Sequence, residues 1–465
     1  MTLFKVNSGA SLQITNAALN VPHIEPPPPP PDFYILSSSY DTETIFTGSG
    51  NAERFGASAK VLATDEGIYS LFGASWDVGE VYLYLSNSSG IEATALTPSN
   101  GSGSDHYGYG LGMVSASNGV YIAVAAPGKD LGGLFSRGFV YIYLKDSTGT
   151  NLIDTLVGLG SDSQMGSSTS AITWTMGNMG VSMVTGSANN LYIAAFDDET
   201  RDAGNHEGGI RLFESSSGGI SQIDTLTASG DIVSNETLGR GNDMVSSSEG
   251  LYIAMGSAGT FDSPATDAGR GMLFHWQSPG NYTSGTLVPD TPLSSSDNFG
   301  VCNPSLVSSS EGIYTMMGSS DTDFASSPSA QGRAYLFLSN SSGITEKTAL
   351  TSSDGVTATQ NYGYCLKVLS GSDQPLILFS SAKAQLAPGT SNKPGIVNIY
   401  QTSSNIDTWT TLTGSDIGTT QGQFGHGMDA VRYGNSIYIV AGAHVVNSNR
   451  GHGYLYKWDL IVSGS

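Results

Sequence analysis

Positive charge is scarce in this chain. Of 465 residues only 12% are charged, and 18 Lys and Arg stand against 40 Asp and Glu, for a formal net charge of −22 at pH 7. Such a surface repels phosphate backbones and anionic lipid and has no basic stripe to overcome the repulsion, so nucleic acid is not an expected partner. Cysteine is nearly absent: Cys302 and Cys365 are the only two, too few for a disulfide framework, and a large core must hold the fold instead. No apolar run approaches the ~18 residues needed to cross a bilayer, so membrane insertion is not expected. The first residues, MTLFKVNSGASLQITNAALNV, lack the charged and continuously apolar regions of a secretory signal, which predicts synthesis in the cytoplasm without that export route. The strong helix formers are diluted by 60 Gly and an excess of Ser and Thr. That composition suits many short strands joined by turns, and almost no helix is expected.

What the chain does have is a repeat. Seven times a hydrophobic residue followed by Gly opens a segment that ends, about 14 residues later, in a strand with a hydrophobic centre. The openings are Phe55-Gly56, Tyr107-Gly108, Met179-Gly180, Leu238-Gly239, Phe299-Gly300, Tyr362-Gly363 and Phe424-Gly425. The following strands centre on Tyr69, Tyr121, Tyr192, Tyr252, Tyr314, Ile377 and Tyr438, a period of about 61 residues, which fits a four-stranded propeller blade. The third unit offers a second opening at Met165-Gly166, which would imply an inserted loop through Trp174; Met179 is preferred.

Each unit reads as four strands, A to D. Strands A and B meet at tight turns such as Asn118-Gly119 and Glu311-Gly312. Strand C is the alternating segment GEVYLYL (79–85), GFVYIYL (138–144) and their counterparts, ending with GYLYKW (453–458). Strand D carries TALTPS (94–99), DTLTAS (224–229) and similar phrases. The heptapeptide LSNSSGI recurs at 85–91 and 338–344, in register between strands C and D. After the last strand C no strand D remains, but TIFTGS (44–49) matches the D phrase. The expectation is an all-β, seven-bladed propeller of four-stranded antiparallel blades over 43–465, its ring closed by the N-terminal strand so that no sheet edge is exposed at the junction.

These residues resemble the FG-GAP repeats of integrin α-subunit propellers and their bacterial and viral relatives. The resemblance rests on the Phe-Gly openings at 55–56, 299–300 and 424–425, Gly-Ala-Ser at 73–75, Ala-Ala-Pro at 125–127 and the Gly-x-Val-Tyr start of strand C. It implies calcium loops between strands A and B. The chain departs there: its A–B turns (64–67, 117–119, 248–250, 309–312) carry too few carboxylates to give calcium six to eight oxygens.

Chemistry-bearing residues are sparse. Cys302 and Cys365 share a column of small residues two places after the opening Gly, with Ser58, Gly110, Ser182, Gly241 and Gly427, and read as buried packing thiols. His426, His444 and His452 cluster in unit seven, match no zinc spacing and read as solvated loop histidines. The acidic loop with Asp197, Asp198, Glu199 and Asp202 is the place for a calcium ion if the chain binds one, against the plainer reading of a solvated loop. Trp76 and Trp174 are candidate exposed aromatics, able to stack on sugar rings or to pack between blades. No Ser-His-Asp, paired-carboxylate or phosphate-loop arrangement occurs in a supporting context, which predicts a chain that is not an enzyme and needs no cofactor.

Residues 1–25 lie outside the repeat and 26–42 form a Pro-rich linker, with six successive prolines at 26–31 that predict a stiff spacer of about 19 Å. Alternation through Leu3 and Lys5 and again at Leu12 and Ile14 suggests extended pieces that order on a partner, with Leu3, Phe4, Leu12 and Ile14 as the candidate contacts, against the alternative of a disordered tail. A docking arm, a spacer and an acidic Gly/Ser/Thr-rich β-domain resemble the virion appendages of tailed bacteriophages. That resemblance implies a virion structural protein anchored by its arm, with the long B–C loops facing a host-surface glycan or protein. The alternative from another class is an extracellular or cell-surface lectin or adhesin.

Overall fold

The computed structural model describes residues from Tyr34 to Val462 apart from short connections, the longest being 166–179, 198–207, 228–236, 259–268, 291–298, 320–331, 351–361 and 382–393. The described residues form seven antiparallel sheets, six of four strands and one of five, in the arrangement of a seven-bladed propeller. Blades one to six span Phe55–Leu96, Leu111–Val157, Val181–Leu226, Thr237–Leu287, Ser305–Leu350 and Tyr362–Leu412, each a meander of strands A to D in chain order. Among the described residues no helix is long and apolar enough to cross a membrane.

Blade seven closes the ring. Its strands A to C are Met428–Tyr433, Ser436–Ala443 and His452–Val462, and its outer edge is Thr42–Thr47, paired antiparallel from Thr42↔Lys457 to Thr47↔His452. A second piece, Tyr34–Leu36, within the stretch read as linker, continues that edge against Leu460–Val462. Side chains reinforce the pairing. Phe46 is buried and packs on Tyr84 and Phe72 of blade one, with ring centroids 4.3 and 5.5 Å away. Burying such a ring contributes about 2–3 kcal/mol. Tyr456 Oη donates to Glu43 Oε1 at 2.8 Å, and the amide of Asp459 donates to Asp41 Oδ2 at 2.9 Å.

The opening motif is explained where neighbouring blades touch. A Cβ on Gly256, at the end of strand B in blade four, would overlap the carbonyl oxygen of Gly300 in the opening of blade five, and one on Gly442 would overlap that of Gly56. The amide of Gly300 in turn donates to the Gly318 carbonyl of its own blade at 2.8 Å. The opening hydrophobe fills the space beside this backbone contact: Phe55, Tyr107, Phe299 and Phe424 are each buried.

This geometry corrects the register of unit three. The residues preceding the openings of blades one, two and seven, Arg54, His106 and Gln423, all have left-handed φ near 50°; in blade three that residue is Gln164, at φ 44°. A Cβ on Gly138 would strike the backbone of Met165, as one on Gly79 would strike that of Tyr107. Met165 is fully buried in the opening position, so it and not Met179 starts the blade. Gly180, whose carbonyl accepts from the amide of Phe196 as Gly110 does from Ala125, replaces Ser182 in the small-residue column. An insertion thus separates the opening of blade three from the rest of strand A.

Two expected outcomes follow. Deleting residues 1–50 removes both pieces of the closing edge and should abolish cooperative melting or cause aggregation, read by calorimetry and light scattering. Gly256→Ala should destabilise by about 3 kcal/mol, because the obstacle is backbone and cannot swing aside; chemical denaturation measures it.

Candidate functional site

In an antiparallel meander the A–B and C–D turns share one end of the ring, and the B–C and D–A connections share the other. At the loop end, the residues following the opening glycines converge on the axis. Tyr109, Tyr364 and His426 are all buried there, closing the mouth. His426 Nδ1 lies 2.9 Å from the Ala57 carbonyl and its Nε2 lies 3.0 Å from Tyr364 Oη. A carbonyl can only accept, so Nδ1 carries a proton, and in the neutral ring Nε2 accepts from the tyrosine. Burial holds the Tyr364 phenol well above its ordinary pKa, so it remains a donor. His444 packs against His426 with ring centroids 3.9 Å apart. Its Nδ1 is buried without a hydrogen-bond partner, and burial, then His426 and Arg54, push its pKa well below the usual imidazole value.

The reading of these residues as solvated loop histidines is therefore corrected for two of the three. His426 and His444 are each 4% exposed. Their positions, one after an opening glycine and the other just past strand B, are the places where each blade points inward. His452 sits at the rim, its Nδ1 2.8 Å from Asp416 Oδ2, and Tyr454 Oη donates to Asp416 Oδ1.

Deeper along the axis lies a charged quartet that sequence reasoning missed. Lys60, Asp243, Lys367 and Asp429 occupy one column, two residues after the small-residue column; aligning the seven A strands would have exposed it. Lys367 Nζ pairs with Asp429 Oδ1 at 2.9 Å. Burial alone would raise the Asp429 pKa, but Lys367 and Lys60 outweigh it and hold the carboxyl below its ordinary value. The same carboxylate accepts the Val61 amide of blade one at 3.2 Å, and Asp243 Oδ2 accepts the Leu306 amide of blade five at 2.9 Å. Each aspartate thus fastens its blade to the next.

The cysteines are buried and form no disulfide, and the burial expected of them holds. Cys365 Sγ donates to the His426 carbonyl at 2.9 Å, and burial pushes its pKa up to about 12, so it remains an unreactive thiol. Asp197 is not poised for calcium: it is fully buried, pairs with Arg211 Nη1 at 3.2 Å and accepts the Leu159 amide at 3.3 Å. Its carboxylate is already neutralised, which corrects its assignment as a cation ligand. Asp198, Asp202, Trp76, Trp174, Leu3, Phe4, Leu12 and Ile14 lie outside the described residues.

The fold and axial site define a seven-bladed β-propeller. No protein-family model and no curated protein matches the sequence. Among solved structures, the chain is similar to the polysaccharide lyase Uly1, with TM-score 0.50 and 10% identity over 89% of this chain and 92% of that one. It is also similar to a candidate 6-phosphogluconolactonase from Bacteroides uniformis (TM-score 0.44, 12% identity, 82% and 92% covered) and to AofleA from Arthrobotrys oligospora (0.43, 9%, 83% and 95%). At such identities the likeness is one of fold. It nonetheless corrects the expectation that the chain is not an enzyme: a ring of this shape carries a lyase, so the architecture and the lack of a familiar motif do not exclude catalysis.

The buried His444 gives a pH signature. Its folded-state pKa is depressed, so below the unfolded-state value of about 6.5 the unfolded chain takes up a proton that the folded chain refuses. Stability should be full above that pH and fall as the pH drops through it toward 5. His444→Phe should flatten the fall, measured as Tm against pH beside the unmodified chain.

Proposed function

We propose that this chain is a tethered recognition propeller, held to a tailed-phage virion by residues 1–25 and presenting its loop end to a host-surface partner. The observation that carries the reading is the placement of the chain ends. Tyr34 pairs with Val462, so the first and last described residues leave together from the turn end of blade seven. The B–C connections 127–138, 197–209, 259–269, 320–332 and 382–395 belong to the opposite end and, apart from the glycine that closes each, differ in sequence. Dissimilar loops on a rigid ring suit recognition, while the A–B and C–D turns are short and repetitive.

Replacing loops 198–207 and 259–268 by short Gly/Ser turns should abolish attachment to cells while leaving incorporation into particles intact. Loss of incorporation with normal attachment would reverse the two ends. A second reading, a glycan-binding propeller of lectin type, is favoured by a hydroxyl-lined cleft between blades four and five.

A further inference from the structure

We propose that the cleft between blades four and five is a binding site for a neutral saccharide; this deepens the second reading above and rests on it. The cleft opens at the turn end and has a volume of about 640 Å³, within the roughly 300–1,000 Å³ of small-molecule sites. The A–B turns of both blades and the C–D turn of blade five wall it, together with the middle of strand D of blade four, Asn281–Leu287.

Blade four departs from its sister blades at this cleft in two places. Opposite the strand B tyrosine, blades one, two and five place Leu85, Leu144 and Leu338, and blades three and seven place Glu214 and Lys457; of the blades with that tyrosine, blade four alone places an aromatic ring there, His275. The imidazole stacks parallel on Tyr252, with centroids 4.4 Å apart and planes 2° from coincidence. Its Nε2 lies 3.1 Å from the Glu249 carbonyl, so Nε2 donates and Nδ1 is left as an acceptor. On strand D, where blades one and five carry Thr94 and Thr348, blade four carries Gly285. One change makes the wall polar and aromatic, and the other removes a side chain from it.

The lining then selects the ligand. Glu249 and Glu311 both line the cleft and no Lys or Arg does. An anion would meet two carboxylates and no counter-charge. Each carboxylate is steadied through Oε2 by a tyrosine hydroxyl, Tyr252 at 3.2 Å and Tyr314 at 2.7 Å, which leaves Oε1 to accept from a ligand. The same Glu–Tyr pair occurs at Glu66 and Tyr69 of blade one as a turn device, but here two such turns converge on one cleft. Ser247 and Ser309 spend their hydroxyls within the turns, on Gly250 and Gly312; Thr283 and Ser284 add hydroxyls to the wall, and Ile344 with Leu273 supplies a small apolar floor. A ring with hydroxyls on its rim and a C–H face on one side matches that mixture. A purely apolar ligand would leave the carboxylates unsatisfied.

The test uses the full chain and methyl glycosides of glucose, galactose, mannose and N-acetylglucosamine, followed by saturation-transfer NMR and calorimetry. At least one glycoside is expected to bind and to shift the His275 ring resonances of the unmodified chain. His275→Leu and Gly285→Thr, which restore the residues of sister blades, should each weaken that binding by about tenfold or more. Undiminished binding in both variants with an unmoved His275 would place the sugar elsewhere, overturning the cleft while leaving the glycan reading intact. No binding of any glycoside to the unmodified chain would overturn both. Tighter binding of a sulfated sugar than of its neutral parent would overturn the proposed selectivity.

Discussion

The ring depends on bare backbone meeting bare backbone between blades. At the joint of blades four and five, Gly256 lies against the Gly300 carbonyl; at the joint of blades seven and one, Gly442 lies against Gly56. No side chain of any kind fits between them. The opening hydrophobe beside each contact is buried, so a single dipeptide supplies both the close approach and the apolar filling that makes the approach favourable. Where glycine meets glycine the joint requires both halves of the motif; at the joint of blades six and seven Ser380 takes the strand B place and Gly425 alone provides the room.

Close joints bring seven inner strands around one axis, and crowding then dictates what each may carry. The first inward column is restricted to Ser, Gly and Cys, and the thiols of Cys302 and Cys365 serve there as small buried groups. Two residues further along, the axis admits charge, but only balanced charge. Asp429 is buried and Lys367 mostly so, and the lysine offsets the cost of burying the carboxylate. The carboxylates also accept amides from the adjacent blade, as Asp429 does from Val61. The quartet therefore acts as a set of cross-ties, and its polarity costs less than an isolated charge would.

How much of this was legible depended on whether the signal repeated. Openings, turns and strand centres occur seven times, and the closing strand was visible because TIFTGS repeats the strand D phrase. Thr42–Thr47 pairs as that repetition implies. Where a blade breaks the repeat, the sequence misled. In blade three an insertion separates the opening from strand A, and spacing alone favoured Met179 because Gly180 belongs to a neighbouring column. The histidines failed for a different reason: positions at strand ends suggested solvated loops, whereas His426 and His444 are buried at the axis and His452 pairs with Asp416 at the rim. Asp197 looked like part of an acidic run, and its partner Arg211 lies across a B–C connection where no local pattern could reveal it.

The closing strand also determines what each end of the ring is free to do. Because strand D runs from the turn end toward the loop end, supplying it from the N-terminus forces the preceding chain to leave from the turn end. The last strand C runs the opposite way and delivers Val462 to the same place, where it pairs with Tyr34. The first and last described residues are thereby removed from the loop end, and B–C connections there can lengthen and diverge without disturbing closure. The turn end has no such freedom, since its hairpins hold the register of every blade. A binding feature can arise there only by replacing side chains within strands, and the departures of blade four at His275 and Gly285 are of that kind. The two ends of one ring are thus open to change by different means: insertion at the loop end, substitution at the turn end.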